Sequence, residues 1–216
     1  VLTPLTVSLA PTRLPAGRTV LQATALSGGP DTGTLLISNL SFAITGPQRV
    51  AISGPNGSGK TTLLRLMTGD LPAQHGTAHI HVPYAMLDQT VSLLDPAQTI
   101  RDNFRALNPD SDERTCRAAL ARFMFRADAA LQLAGTLSGG EMLRAGLACT
   151  IGGDNPPQLL ILDEPTNHLD IAAVEELEAG LRSYDGALLV ISHDTDFLTS
   201  IGIERQIELP AAEPPP

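Results

Sequence analysis

Three short apolar runs punctuate the chain: Arg49-Val50-Ala51-Ile52-Ser53, Leu159-Leu160-Ile161-Leu162 and Ala187-Leu188-Leu189-Val190-Ile191. None alternates between apolar and polar positions, and each is only four or five residues long. Such runs predict strands buried on both faces of a parallel sheet. Each leads into polar residues at its carboxyl end, where open α/β sheets gather their ligands. Tyr84-Ala85-Met86-Leu87 reads as a further strand. Between residues 112 and 133 the period changes, with Cys116, Leu120, Phe123 and Met124 at helical spacing. That pattern predicts a helical subdomain, about 92–140, inserted between sheet-forming halves, with Phe123, Met124 and Phe125 as packing residues. Residues 1–20 lack steady periodicity and read as a linker or lone edge strand, and 210–216 hold four prolines and read as a tail. One domain over 21–209 remains, with no repeated motif.

Composition sharpens this outline. A chain of 216 residues, 43% apolar, has room for one sizeable α/β domain with a real core. Its net charge of −9 opposes a broad nucleic-acid footprint, although a local basic strip is compatible with it. No run of about 18 uncharged apolar residues suits a membrane span, and no export signal opens the chain. A cytoplasmic protein is expected, with Cys116 and Cys149 reduced and buried. Val1, standing where Met begins a translated chain, points to a longer parent. Of 14 basic residues only one is lysine, Lys60.

That lysine sits in Gly54-Pro55-Asn56-Gly57-Ser58-Gly59-Lys60-Thr61-Thr62, between the first apolar run and Leu63-Leu64-Arg65-Leu66-Met67, with Gly69 as a helix stop. The pattern and its strand–loop–helix context are those of a P-loop. Glycines let successive backbone N–H groups turn inward onto phosphate oxygens, and the helix start adds partial positive charge. Lys60 reaches the β and γ phosphates, and the Thr61 hydroxyl suits Mg²⁺.

Leu137-Ser138-Gly139-Gly140-Glu141 opens another helix. Ser138 and Glu141 have capping-box spacing, but two glycines weaken a helix start unless its N–H groups must approach an anion closely. This LSGGE run is similar to the signature sequence of the ATP-binding cassette (ABC) ATPases, which closes over the γ-phosphate held by a partner's P-loop. The resemblance spans about residues 20–208 and implies the P-loop NTPase ABC fold: an α/β domain with a mostly parallel sheet, an inserted helical subdomain and an antiparallel β part near the N-terminus. It implies ATP and Mg²⁺ as cofactors and roles for further residues. Asp163, closing the strand before Glu164, would hold Mg²⁺ together with Thr61 and Gln89. Glu164 would polarise the attacking water, and His193 would sense the γ-phosphate. Gln89 would touch both metal and water, and Asp170 would meet the partner cassette.

The run Asp163-Glu164-Pro165-Thr166-Asn167-His168-Leu169-Asp170 resembles the ABC-F type, soluble tandem-cassette ATPases of which most act on the ribosome. Only 29 residues separate Lys60 from Gln89, which resembles a second, C-terminal cassette lacking the arm of the first. Expected partners are a second cassette, in the same parent or as a homodimer, and the ribosome through regions outside this chain, in translation or antibiotic protection. No direct membrane insertion is expected. A transporter motor with a separate permease is the alternative, although such cassettes more often carry a small residue at the position of His168. A nucleotide-binding module with little turnover is a third reading, opposed by Glu164 and His193.

Two departures stand out. Thr195 follows Ser192-His193-Asp194 where ABC-F proteins usually carry Arg. The aromatic that usually stacks on adenine is missing, because the alignment places Gly29 or a neighbour at its position. Weak discrimination between ATP and GTP is therefore expected. His75, His79 and His81 read as a surface strand.

Overall fold

The computed structural model describes residues 8–31 and 33–211. Strands β1 (Thr19–Gly28), β2 (Ile37–Thr45) and β3 (Arg49–Ser53) precede helix α1 (Lys60–Thr68), which ends at Gly69 in the left-handed conformation, φ 83°. Strands β4 (His75–Ile80) and β5 (Tyr84–Leu87) lead to helices α2 (Ile100–Leu107) and α3 (Glu113–Arg122). Two short 3₁₀ turns at 127–131 and 134–136 follow, and then helix α4 (Gly139–Ile151). The chain finishes with β6 (Leu159–Asp163), α5 (Ile171–Ser183), β7 (Ala187–Ile191), α6 (Thr195–Ser200) and β8 (Arg205–Glu208).

The three apolar runs are β3, β6 and β7, neighbours at the middle of a parallel sheet ordered β5-β6-β7-β3-β8. Alternation along each strand feeds two cores. Leu160, Leu162, Leu188 and Val190 face the core packed under α2–α6. Leu159, Ile161, Leu189 and Ile191 face the other, shared with α1 and a second sheet. Both faces are covered, so no polar position interrupts the runs. The second sheet is antiparallel, ordered β2-β1-β4.

Three expectations need correction. Thr19 and Val20 belong to β1, the middle strand of the antiparallel sheet and not an edge. The segment before it, from residue 8, docks on the domain: Thr12 N–H donates to Asp185 at 2.9 Å, and Gln158 donates to the Thr12 carbonyl at 3.1 Å. The expected linker over 1–7 and tail over 212–216 lie outside the described residues. Finally, α3 stops at Arg122. Met124 adopts φ 71°, which turns it outward to 49% exposure while Phe123 and Phe125 stay buried. Cys116 and Cys149 are free and buried, and burial pushes both thiols up.

Candidate active site

Five of the six α-helices begin with a side-chain cap: Thr99, Asp112, Ser138, Asp170 and Asp194 each accept a hydrogen bond from the first turn. Helix α1 is the exception. Its N-cap is Gly59, at φ 91°, which offers no side chain to the orphan N–H groups. Those donors face a cavity of about 450 Å³. An uncapped helix start carrying partial positive charge is a ready anion site.

The cavity brings together Asn56, Gly57, Gly59, Lys60, Thr61 and Thr62 from the phosphate loop with Gln89, Asp163 and Glu164 from three stretches far apart in sequence. Lys60 Nζ donates across the loop to the Gly54 and Pro55 carbonyls, at 2.8 and 3.1 Å. Ser58 is buried below, its hydroxyl without a partner.

Asp163 ends β6 on the same face as Leu159 and Ile161, the face that α1 covers. Its carboxyl is pushed up to about 6, chiefly by burial and then by the charges of Glu164 and Asp88, with Lys60 opposing. Its Oδ1 is buried with no hydrogen-bond partner. A carboxylate so placed is unfavourable until a cation joins it. An orphaned carboxylate oxygen, the Thr61 hydroxyl and the Gln89 amide form a hard oxygen donor set that fits Mg²⁺.

Strict alternation would send Glu164 to the opposite face. Its φ of 48° breaks the alternation, and Glu164 lines the same cavity as Asp163. Such a left-handed non-glycine residue is strained, as at many functional sites. The Glu164 N–H donates to the Ile191 carbonyl at 2.9 Å, tying the turn to β7. His193 Nε2 lies 3.3 Å from Glu164 Oε1. The base and the switch histidine of the resemblance thus meet although 29 residues separate them.

The remaining site residues gather elsewhere. Ser138, Gly139, Gly140, Glu141, His168 and Asp170 line a separate cavity of about 340 Å³. The capping box is complete, with Glu141 Oε2 accepting from the Ser138 N–H at 2.9 Å. The two glycines differ. A Cβ on Gly139 would meet nothing within 4 Å, whereas one on Gly140 would lie 2.8 Å from the Ala173 Cβ of α5. Gly140 is therefore required by helix packing, and Gly139 alone leaves backbone open to an approaching group. Sequence reasoning missed Arg144, which reaches this cavity, pairs with Glu176 and lies 5.1 Å over the Phe125 ring. It also missed Asn167 and Leu36 as lining residues of the first cavity. Asn167 was legible from its place three residues after Glu164, while Leu36 carried no local signal. His79 and His81 have rings 6.1 Å apart, and no group of three potential metal ligands occurs among the described residues.

A family model described as ABC transporter matches residues 37–167, from β2 to the loop after β6. The chain belongs to the ABC family. The ABC cassette is 38% identical to the ATP-binding protein Uup of Escherichia coli over 77% of its length and 27% of that protein. It is 34% identical to ABC transporter F family member 2 of Dictyostelium discoideum, over 79% of this chain and 29% of that one. It is 36% identical to the energy-dependent translational throttle protein EttA of Mycobacterium tuberculosis, over 84% and 33%. These matches agree with the ABC-F character of the Asp163–Asp170 run. The cassette spans about a third or less of these relatives. A metal-chelate type ABC transporter in an inward-facing conformation superposes with a TM-score of 0.74 at 22% identity, over 89% of this chain and 80% of that one, and shares the fold. Among the described residues no helix is long and apolar enough to cross a membrane.

Proposed function

We propose that this ABC-F cassette binds Mg-ATP at the uncapped start of α1 and hydrolyses it when a second cassette closes over the nucleotide. The single observation that carries the reading is the convergence of Lys60, Thr61, Gln89, Asp163 and Glu164 on one cavity. Backbone N–H groups of Gly57–Thr61 and the Lys60 ammonium hold the phosphates. Thr61, Asp163 and Gln89 would hold Mg²⁺, which when bound neutralises charge on the phosphates. Glu164 orients the attacking water and takes its proton, and His193 fixes the Glu164 carboxylate from the side.

The cavity at Ser138 and Gly139 lies apart from the phosphate loop, so the chain holds two half-sites. A partner cassette, either in the same parent chain or as a second copy, supplies the other halves. Bound ATP holds the pair closed, and loss of the γ-phosphate releases it. Turnover by the single cassette is accordingly slow.

The parent protein acts on the ribosome, in translation or in protection from antibiotics, with RNA contacts from regions beyond this chain. The ABC-F run and the similarity to a translational throttle protein support this. A Glu164→Gln parent, trapped closed with ATP, tests it. The trapped protein should sediment with ribosomes, and a further Lys60→Ala change should release it. Sedimentation with membranes would establish a transporter motor and overturn the ribosomal reading.

A further inference from the structure

The chain has seven Phe and Tyr rings and no Trp. Six are buried: Phe42, Phe104, Phe123, Phe125, Phe197 and Tyr184. The seventh, Tyr84, lies on β5 at the edge of the parallel sheet. Among the described residues no aromatic side chain, histidine included, lines the 450 Å³ cavity.

Where the family resemblance places a stacking ring, this chain has glycine, and packing crowds the position. A Cβ on Gly28 would lie 2.8 Å from Leu66 Cδ2, and one on Gly29 would lie 1.8 Å from the Thr34 carbonyl oxygen. Gly29 has no room for a side chain, and one at Gly28 would point at the tip of Leu66 and have to displace it. Leu36 is instead the lining residue that the β1–β2 connection contributes. Its Cβ stands 3.2 Å from where a Cβ on Gly59 would be, so it borders the first turn of the phosphate loop's helix. Among the described residues the polar side chains of the cavity belong either to that loop and helix or to the Gln89, Asp163, Glu164 and Asn167 side. Both groups serve the phosphates and the metal.

Adenine and guanine differ in the donors and acceptors on their edges. A site tells them apart strongly only when its own polar groups pair with those edges, which is worth about 10⁴–10⁵-fold where it occurs, whereas apolar contact discriminates weakly. We propose that this cassette takes GTP as well as ATP, selecting its nucleotide by the triphosphate and leaving the base against Leu36. This rests on the reading of the cavity as a nucleotide site and extends it to the substrate class. The reaction is the same for either: the water oxygen bonds to the γ-phosphorus, the bond to the β–γ bridging oxygen breaks, and nucleoside diphosphate and phosphate leave. The water's proton passes to Glu164.

Calorimetric titration of the Glu164→Gln chain with ATP, GTP and UTP in Mg²⁺ tests the proposal without turnover. ATP and GTP should bind with dissociation constants within about fivefold, and a larger preference for either overturns it. Leu36→Trp, checked for folding by circular dichroism, should tighten both purine nucleotides relative to UTP by about two- to tenfold through stacking. Unchanged ratios there would show that the base does not lie on Leu36. Lys60→Ala separates the two levels of the argument. Selective ATP binding that Lys60→Ala abolishes keeps the site and removes only the base tolerance. Binding that survives Lys60→Ala, or no binding of any nucleotide, overturns the reading of the cavity itself.

Discussion

Helices α1 and α4 both start with glycine-rich turns, and in the proposed function each meets the γ-phosphate of a different nucleotide, yet their ends are built oppositely. At α1 the cap is Gly59, no side chain satisfies the first N–H groups, and Lys60 folds back onto loop carbonyls at 2.8 and 3.1 Å. At α4 the cap is Ser138, and a reciprocal box with Glu141 satisfies the start of the helix. The first end is unfinished as a helix and complete as a phosphate site, with metal ligands and a base beside it. The second is finished as a helix, and Gly139 leaves its backbone there open. In the proposed function the first binds a nucleotide by itself, and the other adds contacts to a nucleotide that a partner cassette already holds.

The largest effects should follow from breaking the α1 end. Lys60→Ala should abolish nucleotide binding in a calorimetric titration. Glu164→Gln should keep binding and lower hydrolysis by about 10²–10⁴-fold in a phosphate-release assay. Gly139→Asp should likewise leave binding intact, through the other helix end. Its side chain enters open space, so fold and binding should survive, while turnover falls by about 100-fold as a carboxylate meets the partner's phosphate.

Stability sharpens the contrast further. Asp163 has a folded-state value pushed up to about 6 from 3.8, so its charged form opposes folding above pH 6. That penalty shrinks as pH falls from 6 toward 4, where the carboxyl is protonated in the folded chain. Asp163→Asn should therefore stabilise the nucleotide-free chain by about 1–3 kcal/mol at pH 7.5 and by much less at pH 4.5, while removing Mg²⁺-dependent activity. Ser138→Ala should cost about 1 kcal/mol in urea unfolding through the lost cap. Glu141→Gln preserves the box and should change stability by less than about 0.5 kcal/mol.

The sequence disclosed most of this where local chemistry and position coincide. Runs such as 159–162 announce doubly buried strands because no face is left for polar residues. Lys60, Ser138 and Asp163 sit in short stretches whose residue types answer one chemical need. Other features depend on backbone angles or on distant contacts, and stayed hidden. The left-handed turn at Glu164 overrides alternation, and the one at Met124 reverses an expected packing residue. Leu36 borders the cavity because β1, β2 and α1 meet there. Gly140 answers to Ala173, 33 residues away, and no local pattern distinguishes it from Gly139.

If the two helix ends serve different nucleotides, as proposed, mixing two chains defective at opposite ends should restore turnover. Lys60→Ala destroys one end and Gly139→Asp the other, so the first alone should be inactive and the second alone should keep only about a hundredth of wild-type turnover. Mixed at high concentration they should regain activity, because the Gly139→Asp chain supplies an intact phosphate loop and the Lys60→Ala chain an intact signature. Wild-type turnover per chain should also rise with protein concentration. A mixture that regains nothing over the separate variants where wild type is active, or wild-type turnover in either variant alone, would show that the two ends do not complement each other across a pair of cassettes.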